Sequence, residues 1–265
     1  MNGPTPLLDF FKRGEVARDV RLLAAQGGLA LRAPEQLAIL VLLLDDPDPA
    51  IGRTADETLS RIPESALRAF LARSDVSISL REFFGNRGVF PAEIPPIAMP
   101  EDEDQPLIDT SAMEDVVEEV VEDEDGNRTS VIQQIADMTF TQRLKAAVQG
   151  SREIRAILIR DTNKMISAAV LSSARVTPQE VEGYARMANV GEEILRIIGN
   201  TRAWVKNYGV AVALTKNPKT PVALSMNLMS RLHDRELQML SVDRNIPEPL
   251  RVAARRKVIA ATSRK

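Results

Sequence analysis

The 265-residue chain has no cysteine, a single histidine and only 4% aromatic residues. Without cysteine there is no disulfide framework and no thiolate metal site, and a reducing compartment, the cytoplasm, is the expected setting. One histidine rules out a multi-histidine metal centre and His–Cys chemistry. That residue, His233, sits in Arg231-Leu232-His233-Asp234-Arg235 and reads as a polar residue at a turn between helices. With few aromatics, the core must be built from Ala, Leu and Val, a mixture that suits close helix–helix packing better than a sheet. Long apolar runs are also missing. Leu37 to Leu44 spans eight residues, against the ~20 that a membrane-spanning helix needs, so no membrane segment is expected. The opening Met1-Asn2-Gly3-Pro4 lacks the basic and apolar regions of a secretory signal, and export is not expected.

The familiar catalytic constellations are missing too. The sequence has no Gly-x-Gly-x-x-Gly, no Walker-type glycine–lysine loop, and no serine in a Gly-x-Ser-x-Gly elbow that could pair with His233. The carboxylate pairs Glu192-Glu193 and Asp45-Asp46 fall at helix starts or turns, where negative charge complements the helix dipole. No catalytic residue, metal ligand or cofactor is assigned, and the chain reads as a non-enzymatic protein.

Charge is distributed unevenly. Residues 1–100 carry 13 acids and 11 bases, residues 101–127 carry 13 acids and no base, and residues 128–265 carry 11 acids and 23 bases. The acidic stretch is punctuated by Pro91, Pro95, Pro96, Pro100 and Pro106, and such a composition predicts a flexible linker over 91–128. Within it Met113, Val116, Val117, Val120 and Val121 recur at helical spacing among acids. This valine motif reads as part of a solvated spacer, with an acidic amphipathic helix on a partner, or a contact with the basic segment of its own chain, as the alternative. Two helical domains remain, 1–90 and 129–265.

In the first domain Val16, Val20 and Leu23 recur at helical spacing before Gly27-Gly28, and Pro34 opens a helix with a stripe of Leu37, Leu40, Val41 and Leu44. Asp48-Pro49 restarts the chain, leading into Ile51, Ala55, Leu59 and Ile62. The run Leu42-Leu43-Leu44-Asp45-Asp46-Pro47-Asp48-Pro49-Ala50-Ile51-Gly52-Arg53 resembles the HEAT-repeat pattern of a leucine-rich helix, an Asp-Pro turn and an aliphatic–Arg pair, with Gly52 intruding between Ile51 and Arg53. A fainter echo follows in Phe70, Leu71, Ser74-Asp75, Leu80-Arg81 and Phe83-Phe84.

In the second domain hydroxyl caps followed three residues later by glutamine appear at Ser130 and Thr139. The phrase Leu158-Ile159-Arg160-Asp161-Thr162 aligns with Ile197-Ile198-Gly199-Asn200-Thr201 and then with Leu240-Ser241-Val242-Asp243-Arg244, at offsets of 39 and 43 residues. Thr177-Pro178 and Thr220-Pro221 supply cap-and-proline starts. A period near 40 with two or more helices per unit is similar to HEAT and armadillo solenoids. Lys216-Asn217-Pro218-Lys219-Thr220-Pro221 and Asp243 to Arg251 also resemble the leucine-rich repeat variant. These resemblances imply an all-α helical-repeat solenoid.

The basic excess gives the candidate site. Arg196, Arg202, Lys206, Lys216 and Lys219 gather around one repeat, Arg251, Arg255 and Arg256 fall on the last helix, and Trp204 and Tyr208 stand four apart as a possible stacking pair. A solenoid exposes a long continuous surface. The expected function is a protein–protein interaction scaffold gripping an acidic or extended protein partner, with nucleic-acid binding by the same basic segment as the alternative.

Overall fold

Proline or an oxygen-bearing side chain stands at the opening of most of the apolar-periodic stretches. The computed structural model describes residues 5–93, 105–108 and 128–262, and these stretches become helices there. Among the described residues there are seventeen helices and no strand. The motif Val116, Val117, Val120 and Val121 lies outside the described residues. No described helix is long and apolar enough to cross a membrane.

The described helices form two compact units that part at Arg175/Val176. The first unit contains α1 (Pro6–Lys12), α2 (Arg18–Ala25), α3 (Ala33–Leu43), α4 (Pro49–Ser60), α5 (Glu64–Leu71), α6 (Ile78–Asn86), α7 (Arg128–Asp137), α8 (Phe140–Gln149), α9 (Arg152–Leu158) and α10 (Lys164–Ser172). The second contains α11 (Pro178–Arg186), α12 (Glu192–Asn200), α13 (Arg202–Val205), α14 (Tyr208–Lys216), α15 (Val222–Met229), α16 (Asp234–Val242) and α17 (Glu248–Thr262). Composition alone places the division at 91–128 instead. In the structure the helices before that stretch pack with those after it. α1 lies against both α3 and α10. The Arg32 N–H and Nε donate to the carbonyls of Ser172 (3.3 Å) and Ser173 (3.2 Å), and Gln149 Nε2 donates to Gly28 (3.3 Å).

Local chemistry explains the helix boundaries. Asp48 Oδ1 accepts the Ala50 N–H at 2.9 Å with Pro49 at the first helical position of α4. Thr139 and Thr177 form reciprocal capping boxes with Gln142 and Glu180. Two expected caps are absent. Ser130 falls inside α7, which already begins at Arg128. α15 starts at Val222 with Pro221 as its cap residue, so Thr220 lies outside it and its buried hydroxyl has no partner.

One turn recurs three times, before α4, α10 and α17. The N–H of Asp48, Asn163 or Asn245 donates to Oδ1 of the Asp two residues earlier, at 2.9, 2.8 and 2.9 Å respectively. Such Asx turns bend the chain without spending backbone carbonyls. The helices around them pack in triangles. α2, α3 and α4 touch one another pairwise, as do α8, α9 and α10, and α11, α12 and α14; α17 packs on both α15 and α16. A helix inside such a packing is covered on several sides. α3 therefore buries Ala33, Glu35, Gln36 and Ile39 as well as Leu37, Leu40 and Leu43, rather than the single stripe its spacing predicts.

Candidate functional site

The last three helices carry the basic residues closest to the chain's end, and their core is small. Met229, Leu232, Leu237, Leu240, Ile246, Leu250 and Ala254 are buried together, with Tyr208, Val212, Met226, Ala253 and Val258 packed at the edge. α17 meets α15 along one side, and between them opens a groove of 610 Å³ lined by Met226, Glu248, Pro249, Val252, Ala253 and Arg256. Val252 (39% exposed) and Ile259 (61%) are seven apart on α17 and so share a face, while Val222 (37%) stands one turn from Met226 on α15. Within the groove itself Met226, Val252 and Ala253 stand beside Arg256.

The structure sorts the expected basic residues by what holds them. The Arg251 and Arg255 guanidinium groups donate to the Asp243 (3.5 Å) and Ser241 (3.4 Å) carbonyls at the C-terminal end of α16, and Arg251 also pairs with Glu248 at 4.0 Å. Both therefore satisfy helix-end carbonyls that would otherwise need water. Arg196 pairs with Glu192 on its own helix at 2.6 Å. Arg202, Lys206, Lys219, Arg256 and Lys257 are exposed and Lys216 is half-buried.

The aromatic pair does not form a stacking platform. Trp204 is only 4% exposed. The Tyr208 hydroxyl donates to Glu236 Oε2 (3.1 Å) and accepts the His233 N–H (3.0 Å), with the two rings 4.5 Å apart. His233 is the cap residue of α16, at a turn between helices as expected. Glu192 and Glu193 occupy the first turn of α12, and Asp46, from the Asp45-Asp46 pair, forms the Asx turn before α4 and holds Arg21 at 3.2 Å.

One titratable group escaped the sequence reading. Glu35, in the first turn of α3, is fully buried, and its Oε1 accepts the N–H groups of Leu7 (2.7 Å) and Leu8 (3.0 Å). It thus caps α1 from another helix, because Thr5 supplies no side-chain cap. Burial pushes its pKa from the usual 4.5 up to about 7, against the pull of the Leu8 and Leu7 N–H groups and the Arg32 charge. Oε2 accepts no hydrogen bond, and the Ser172 hydroxyl donates instead to the Ala168 carbonyl at 3.5 Å. No sequence signal distinguishes this glutamate from other first-turn acids, since its partner lies 28 residues away. A carboxyl with no exposed surface serves the packing of α1, α3 and α10 rather than a substrate.

Among the described residues no group of three or more His, Asp or Glu side chains is placed to hold a metal ion. Compared with protein-family models, curated proteins and solved structures, the chain matches none.

Proposed function

We propose that this chain is a non-enzymatic protein–protein interaction scaffold. In this reading the helix triangles are successive repeats of a HEAT- or armadillo-like solenoid, and the α15–α17 groove takes an acidic or extended segment of a protein partner. The observation that carries it is the character of the α15–α17 face: Met226 and exposed Val252 line a groove beside exposed Arg256. Exposed apolar surface of this kind marks a place where a partner can dock. Apolar anchors of a partner helix or strand would fill the Met226–Val252 groove, and acids beside them would meet the cations.

Nucleic acid fits the same face less well. Sequence-tolerant binding of single strands combines cations with exposed aromatics, and here Trp204 is buried and Tyr208 is bonded within the fold. The test is capture of partners by the full chain and by a Val252→Asp/Ile259→Asp variant, with nuclease treatment of each. The expected result is a set of proteins that survives nuclease and is lost from the variant. Partners retained equally by both chains, or released by nuclease, would remove the proposal.

A further inference from the structure

A second surface, in the first compact unit, stands independently of the α15–α17 reading. Its base is the turn after α2, where Gly27 has φ +77° and is buried. Backbone in this left-handed region favours glycine, and the missing side chain leaves bare main chain exposed to a neighbour. That neighbour is Ile108. A Cβ on Gly27 would come within 3.1 Å of Ile108 Cγ2 and 3.4 Å of the Thr58 methyl. One residue earlier, the Leu107 N–H donates to Oε1 of Gln36 at 2.9 Å. The Ile108 side chain thus lies against the turn after α2, and the Leu107 backbone is bonded to α3.

The Gln36 carboxamide is the informative group. It is 3% exposed, and the Leu107 N–H fixes which end of it is oxygen. Its other end, Nε2, is buried and donates to no group among the described residues. A buried donor without an acceptor is uncommon and costly. A carboxamide facing an extended peptide can hold both its N–H and its C=O, which is how polar side chains read main chain irrespective of sequence. The chain's own segment uses half of that capacity.

We propose that the surface formed by Gly27 and Gln36 is a binding site for a short peptide that bends to set an aliphatic side chain against Gly27 and the preceding backbone N–H on Gln36, and that Leu107–Ile108 is its occupant in cis. A peptide that also offers a carbonyl to Nε2 displaces this occupant. The tethered occupant competes at an effective concentration of about millimolar, which lowers the apparent affinity of a free peptide about tenfold if its intrinsic Kd is near 100 µM.

The experiment uses the full chain and a labelled peptide of sequence Asp-Gln-Pro-Leu-Ile-Asp-Thr, that of residues 104–110, followed by fluorescence anisotropy. A Leu107→Ser/Ile108→Ser chain, matched to wild type by helical circular dichroism, is expected to bind the peptide about tenfold more tightly than wild type does. N-methylation of the peptide's leucine, which removes the N–H and leaves the protein unchanged, is expected to weaken that binding at least tenfold, as is serine in place of its isoleucine. Equal affinity for both chains, no binding to the vacated chain, or indifference to N-methylation would each overturn the proposal.

Discussion

Glu35 ties the stability of the first unit to pH. Its folded-state pKa of about 7 lies above the usual 4.5, so the folded chain holds the proton more tightly than the unfolded one. The resulting stability is complete below about pH 4.5 and is lost as pH rises through 7; at ~1.4 kcal/mol per pKa unit it amounts to roughly 3 kcal/mol. The melting temperature is therefore expected to be lower at pH 8 than at pH 5, and Glu35→Gln, which keeps the acceptor for Leu7 and Leu8, should flatten this slope. A wild-type melt independent of pH over that range would contradict the assignment. Trp204 offers a second check because it is the only tryptophan. Its emission should be blue-shifted and resist acrylamide quenching, and Trp204→Ala should cost about 3–5 kcal/mol as a core truncation. Red-shifted, readily quenched emission would place the ring at the surface.

Pairs of helices are tied by arginines that reach backwards. Arg81, beside buried Leu80 on α6, donates through Nε to the Leu71 carbonyl at 2.9 Å and through Nη2 to the Arg73 carbonyl, both at the end of α5. Arg251, beside buried Leu250 on α17, does the same for α16. The aliphatic–Arg pairs visible in the sequence thus have a physical use: the aliphatic residue enters the core and the arginine closes the preceding helix. Gly52 departs from the pattern because a Cβ there would lie 2.9 Å from the Leu44 carbonyl oxygen, which leaves no room for a side chain. Arg251→Ala is expected to lower stability by up to about 1 kcal/mol, while Arg256→Ala, whose side chain bonds no helix end, should leave the melt unchanged.

The same elements show what was legible. Asp48, Thr139 and Thr177 were readable as caps because their partners lie within three residues. Ser130 and Thr220 carry the same local signature without the cap, since helix starts shift by one or two residues under packing. Glu35 and Gln36 were illegible because their partners, Leu7 and Leu107, are 28 and 71 residues distant.

At the scale of the whole molecule, composition pointed to helices, which the described residues form without a strand, and an offset near 40 residues linked similar phrases in the later part of the sequence. It did not reveal that α2, α3 and α4 form the same kind of triangle, because α5 to α7 and the acidic stretch interrupt the spacing. Charge counting pointed to the C-terminal arginines, but folding commits Arg196, Arg251 and Arg255 to partners within the chain. What remains on the α15–α17 face is apolar surface beside Arg256, a combination that charge alone does not show. The most direct test of the account places a photocrosslinking amino acid at Val252, at Ile259 and, as a control, at exposed Gln179 on α11 in the full chain, and irradiates intact cells. Discrete protein adducts from positions 252 and 259, absent at 179, are the predicted result. No adduct from either position, or adducts to nucleic acid alone, would contradict it.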